Sequence, residues 1–113
     1  MNIVNHFING KEYVSKSDRF GDVYNPVNGE KIREVNFANK EDVSVAISCA
    51  VKAGKEWAAT PSLTRSRVLF KFKDLILRDM DKLALELTTE HGKILSDSVG
   101  SITRGMEVVA VSY

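Results

Sequence analysis

The stretch Asn39-Lys40-Glu41-Asp42-Val43-Ser44-Val45-Ala46-Ile47-Ser48-Cys49-Ala50-Val51-Lys52-Ala53-Gly54-Lys55-Glu56-Trp57 marks where the chain changes its hydrophobic period. Val43, Ala46, Ile47, Ala50, Val51, Gly54 and Trp57 recur at three- and four-residue intervals, the spacing of one helix face. Asn39 followed by Asp42 resembles a capping box with Asp in place of the usual Glu. The spacing predicts a helix over about residues 40–58.

Upstream the pattern is that of short strands and turns. His6-Phe7-Ile8 and Glu12-Tyr13-Val14 flank Asn9-Gly10, the pair a type I′ turn prefers because both central residues need positive φ. Polar residues 15–19 follow. Phe20 to Tyr24 reads as a further extended piece, ended by Asn25-Pro26 because proline disfavours helix before it. Asn28-Gly29 offers another hairpin turn before the imperfect alternation from Lys31 to Phe37. Residues 1–38 therefore read as a small antiparallel ribbon.

Downstream, Thr60-Pro61-Ser62 breaks the first helix. A second, over about 62–78, carries Val68, Leu69, Phe72, Leu75 and Ile76 on one face. Asp79 or Asp81 caps a third with Leu83, Ala84 and Leu87 inward, and Gly92 suits its C′ position. A fourth runs from about Leu95 to the end, with Ile102, Met106, Val109 and Tyr113 as its stripe. The expected class is α+β: an N-terminal antiparallel ribbon (1–38) followed by four helices (39–113) within one domain. The final Val108–Tyr113 run is apolar and carries no stop signal, and it reads as a chain cut within an element.

Sixteen Lys and Arg against 15 Asp and Glu leave a formal charge of +1 over 113 residues, which argues against nucleic-acid binding driven by bulk electrostatics. The single cysteine, Cys49, excludes an internal disulfide framework and a multi-cysteine zinc site. No apolar run reaches the roughly 18–20 residues of a membrane span, and no signal-peptide core precedes the ribbon. A soluble protein of a reducing, cytoplasmic compartment is expected, without membrane or nucleic-acid partners.

The chemistry is sparse. No three glycines form a G-x-G-x-x-G fingerprint, and Gly100 and Gly105 have Walker-A spacing but are followed by Met106-Glu107 instead of Lys-Ser/Thr. His6 and His91 stand apart from any cysteine, so no metal site is expected. Cys49 lies inside a helix with no histidine or helix N-terminus beside it to activate the thiol, and a buried structural thiol is the better reading. Glu90-His91 has the makings of an acid/base pair, but His91 near a helix end suits dipole compensation or solvation. Trp57, Phe70 and Phe72 form no evident stacking platform, and their helical spacing indicates core packing.

Arg104 differs from these. It lies about 200° around the helix from Ile102, opposite the apolar stripe. Gly100 and Gly105 flank it, each costing roughly 1 kcal/mol relative to Ala in a helix, which suggests close approach to the backbone there. Arginine suits bidentate carboxylate recognition. A solvated arginine pairing with Glu107 at i+3 is the plainer alternative.

Phe7-Ile8-Asn9-Gly10-Lys11, Asn25-Pro26-Val27-Asn28-Gly29-Glu30, Trp57 and the Arg65–Leu69 stretch resemble the start of the aldehyde dehydrogenases. Arg67-Val68-Leu69-Phe70-Lys71-Phe72, Glu90-His91-Gly92-Lys93 and Arg104-Gly105-Met106-Glu107-Val108-Val109 are similar to the CoA-acylating methylmalonate-semialdehyde dehydrogenases. The likeness runs through essentially the whole chain. It implies part of the α/β NAD-binding domain of that fold, in proteins several times longer. Members oxidise malonate or methylmalonate semialdehyde with NAD, lose carbon dioxide and pass the acyl group from a cysteine to coenzyme A, in valine and inositol breakdown. They assemble as dimers and tetramers.

The nucleophilic cysteine and the NAD-binding strands lie downstream of the matched region, so the resemblance implies that Cys49 is not the nucleophile and that no catalytic, cofactor or metal residue lies here. It places the arginine that holds the substrate carboxylate on Arg104. Ser101 and Ala110 depart from the pattern, at positions where glutamate is frequent. The expectation is an N-terminal fragment of a semialdehyde dehydrogenase, inactive alone; the alternative is a truncated non-catalytic binding or oligomerisation module, or a gene remnant.

Overall fold

The computed structural model describes residues 2–112, and Tyr113, expected in the last apolar stripe, lies outside them. Five strands precede four helices: β1 (Asn2–Val4), β2 (His6–Ile8), β3 (Lys11–Tyr13), β4 (Phe20–Tyr24), β5 (Lys31–Asn36), α1 (Lys40–Ala59), α2 (Ser62–Arg78), α3 (Met80–His91) and α4 (Leu95–Val111). The α+β class and all four helices stand as the sequence indicates. The chain divides into two compact units, Met1–Ala59 and Thr60–Tyr113, so α1 belongs with the strands.

In the first unit, β2 and β3 pair antiparallel, with His6 opposite Tyr13 and Ile8 opposite Lys11. Asn9 and Gly10 take φ of 56° and 75°, the left-handed pair that a type I′ turn demands. The second expected turn differs. Asn25 Oδ1 accepts from the Val27 amide, and the Asn25 carbonyl accepts from the Gly29 amide at 2.8 Å. The loop thus opens at Asn25, where Pro26 fixes φ, and Gly29 alone takes the left-handed conformation at 74°. Tyr24 then faces Lys31 across a six-residue loop, with a register shift at Val23/Tyr24.

The ribbon itself is two sheets. One is β2–β3; the other has the order β1-β5-β4, and β1 runs parallel to β5, with Ile3 opposite Glu34. A wholly antiparallel ribbon is therefore corrected to a mixed arrangement. A three-residue strand whose partner lies some thirty residues away leaves no periodicity to read. On the β4–β5 face, Asp22 lies opposite Glu34, a like-charge pairing that would be unfavourable alone. Lys31 Nζ resolves it at 2.8 Å from Asp22 and 2.7 Å from Glu34, and this contact holds the Asp22 carboxyl below its usual range.

The Phe37 ring lies across Gly21: a Cβ there would meet Cζ at 2.4 Å. The Arg19 guanidinium covers the same ring, 5.8 Å from its centroid. Gly21→Ala should force the ring off the strand and lower stability by about 1 kcal/mol; unfolding in urea checks this, and an unchanged midpoint would refute the close approach.

α1 starts on a reciprocal box. The Asp42 amide donates to Asn39 Oδ1 at 2.9 Å, and the Asn39 amide donates to Asp42 Oδ2 at 2.8 Å. The Asp42 carboxylate also accepts from Tyr13 Oη at 3.0 Å and from Ser15 Oγ, which ties the helix start to the segment after β3. Asp42 is only 3% exposed, and Ser15 is buried beside it.

In the second unit, Gly92 at φ 82° ends α3. Asp79 occupies the cap position of α3 without a side-chain cap bond; its carboxylate is taken by Arg78, at 3.0 and 2.8 Å from Nε and Nη2. α3 and α4 meet through small residues: Ala84 and Ser98 are fully buried, and Thr88 Oγ1 lies 2.7 Å from Ser98 Oγ.

Several residues expected in the core are not covered. Trp57, Phe70 and Phe72 are 43%, 45% and 50% exposed, and Val43, Ile47, Val51, Val68 and Leu83 are exposed as well; Cys49 is half-buried, not buried. The chain exposes 8366 Å², whereas two separate globules of half its size would together expose about 7,500 Å². Each helix thus carries a face that nothing among the described residues covers.

Candidate functional site

Gly92 turns the chain out of α3 and places Lys93 just ahead of α4. Along α4, Asp97, Ser101 and Arg104 fall at i, i+4 and i+7, hence on one face, with Gly100 between them. Ile102, Met106 and Val109 lie half-buried elsewhere on the helix. Asp97, Gly100, Ser101 and Arg104, together with His91, Lys93 and Ser96, line an open cleft of about 390 Å³.

Ser101 is the centre of its polar contacts. Lys93 Nζ donates to Ser101 Oγ at 2.8 Å, and Arg104 Nη2 donates to the same oxygen at 3.2 Å. Arg104 therefore reaches back to i−3 on the cleft side, not forward to Glu107. Its side chain is exposed, while Lys93 and Ser101 are half-buried. Two cations at one hydroxyl, with Asp97 the only carboxylate in the lining, make an environment that favours an anion.

The glycines behave differently from expectation. A Cβ on Gly100 would meet Arg104 Nη1 at an ordinary 3.7 Å, and one on Gly105 would meet nothing within 4 Å. No described residue makes the close approach that the glycines suggest.

Of the remaining candidates, His91 joins the cleft lining and Cys49 does not. His91 ends α3, exposed, in the last turn, where a basic residue suits the helix dipole. Cys49 lies mid-helix in the other unit, and no group of three His, Cys, Asp or Glu able to hold a metal occurs among the described residues. Lys93, Ser96, Asp97 and Ser101 are the cleft residues that sequence reading did not single out as site residues. The i, i+3 spacing of Ser101 and Arg104 was a signal available in advance; the return of Lys93 across the Gly92 turn was not. No helix among the described residues is long and apolar enough to cross a membrane.

The family model described as the aldehyde dehydrogenase family matches residues 13–113. The chain is 45% identical over 106 residues to the mitochondrial acylating methylmalonate-semialdehyde dehydrogenase of Arabidopsis thaliana, covering 94% of this chain and 18% of that protein. It is 38% identical to malonate-semialdehyde dehydrogenase 2 of Bacillus cereus, covering 95% and 22%. Among solved structures, a protein from Sinorhizobium meliloti assigned to the methylmalonate-semialdehyde dehydrogenases and complexed with NAD superposes with a TM-score of 0.96 at 39% identity, over 98% of this chain and 23% of that one. The methylmalonate-semialdehyde dehydrogenase of Oceanimonas doudoroffii gives 0.94 at 38% identity, over 98% and 22%. The chain spans about a fifth of the length of these relatives. A match over nearly all of its residues, in sequence and in backbone, makes this chain a member of the aldehyde dehydrogenase family.

Proposed function

We propose that this chain is the portion of an NAD-dependent, CoA-acylating semialdehyde dehydrogenase that supplies Arg104 as the group holding the substrate's carboxylate. The observation that carries this is the cleft in which Arg104 and Lys93 meet at Ser101. The names of the similar proteins support malonate or methylmalonate semialdehyde as substrate, an aldehyde at one end and a carboxylate at the other. A guanidinium fits the carboxylate end with two parallel N–H donors, and would orient the aldehyde toward a nucleophile outside this chain.

NAD would supply hydride acceptance and coenzyme A the acyl acceptor, in valine and inositol breakdown. The residues here do not build the dinucleotide's site. The strand-to-helix turn from β5 to α1 already holds the Asp42 carboxylate and has Glu41 and Asp42 in its first helical turn, so it would repel a pyrophosphate that otherwise favours helix N-termini. The proposed working form is a homo-oligomer, a dimer or tetramer.

The chain by itself should form no NADH from malonate semialdehyde; turnover by pure chain overturns the reading. Residues 2–112 grafted in place of the matching segment of the Sinorhizobium meliloti protein should give a chimera that oxidises malonate semialdehyde. A folded but inactive chimera would count against the proposal.

A further inference from the structure

Resting on the reading of Arg104 as a carboxylate contact, we infer that Lys93, Ser101 and Arg104 form a single three-donor clamp, so that Lys93 is a second contact to the substrate carboxylate. A serine hydroxyl has two acceptor lone pairs and one proton. Lys93 Nζ at 2.8 Å and Arg104 Nη2 at 3.2 Å use the two lone pairs. The hydroxyl proton then points to the remaining tetrahedral direction and can only donate. Lys93 keeps two further N–H groups and Arg104 four. All three side chains are donors around one open cleft, and a carboxylate has the acceptor sites to take them together.

The charge balance agrees. Two basic side chains and one carboxylate, Asp97, line the cleft, and neither Lys93 nor Arg104 is bonded to Asp97. Lys93 is half-buried, and its ammonium donates to a neutral hydroxyl, a weaker partner than an anion. An incoming carboxylate is the stronger acceptor. The clamp selects short oxo acids over neutral aldehydes of the same length, because a neutral end group leaves the donors without an acceptor.

The test is a titration of the 113-residue chain with sodium malonate at fixed ionic strength, read from amide and side-chain NMR shifts. Saturable shifts are expected at Ser101 and Arg104. Lys93→Gln and Arg104→Gln should each weaken binding about tenfold, and Lys93→Arg should restore it to within a few-fold. Ser101→Glu should abolish it by placing an anion between the cations. Unchanged shifts away from the cleft show that each variant is folded. If Lys93→Gln binds like the parent while Arg104→Gln does not, the clamp is overturned and the Arg104 reading stands. If both variants bind like the parent, or malonate causes no saturable shift, the clamp is overturned, and the chimera then decides the fate of Arg104 alone.

Discussion

Arg104→Gln in the chimera lowers kcat/KM for malonate semialdehyde by about 10²–10³-fold while leaving kcat/KM for propanal within about threefold, because the loss corresponds to one bidentate, charge-assisted contact. Glutamine keeps the length and a single amide donor but removes the charge and the fork. Propanal has the same reacting aldehyde and no carboxylate, so it separates damage to the fold from loss of recognition. Arg104 is exposed on α4 and bonded to Ser101 alone among the cleft residues, so its replacement leaves no buried group without a partner. An equal fall on both substrates would show a structural role. No fall on either would remove Arg104 from the site. The loss should appear mainly in KM if the carboxylate is bound equally in ground and transition states, and in kcat if the contact orients the aldehyde.

The second large effect concerns Asp42. Its carboxylate accepts from the Ser15 hydroxyl, the Asn39 amide and the Tyr13 hydroxyl, and these bonds, Ser15 first, hold its pKa below the usual carboxylate value. The same contact pushes the Tyr13 phenol up. Asp42→Asn turns an amide donor toward donors already aimed at the carboxylate, and Asp42→Ala leaves all of them unsatisfied; either should lower Tm by on the order of 10 °C. Because the folded-state pKa is depressed, the stabilisation is fully present above the unfolded value of about 3.9 and is lost as pH falls through the folded value. The parent should therefore lose stability steeply below about pH 4, and Asp42→Ala should lose less over the same range. Parallel acid limbs for parent and variant in a thermal series from pH 6 to pH 2.5 would show that Asp42 does not carry the acid sensitivity.

Much of the architecture was legible locally. Asn9-Gly10 specifies a type I′ turn through its own φ requirement, and Asn39 and Asp42 form their capping box three residues apart. Four helices follow from period and breakers, because both act within a few residues of the chain. Arg104 was legible as a cation placed off the apolar stripe and beside glycines. Its partner Lys93 was not, since that contact depends on how Gly92 redirects the backbone. Ser15 looked like loop polarity, and only the docking of Tyr13 and Ser15 onto the α1 start shows why a hydroxyl is buried there.

The sequence by itself determined the α+β order, the helix limits to within a residue or so, the hairpin at Asn9-Gly10 and the family. These rest on short-range rules and on residue identities along the chain. The tertiary structure alone decided that β1 pairs parallel with β5, that α1 belongs with the strands, that Lys93 meets Arg104 at one hydroxyl, and that the faces holding Trp57, Phe70 and Phe72 stay uncovered. Period tells which face of a helix is apolar. What covers that face depends on partners distant in sequence, and the residues present do not supply enough of them.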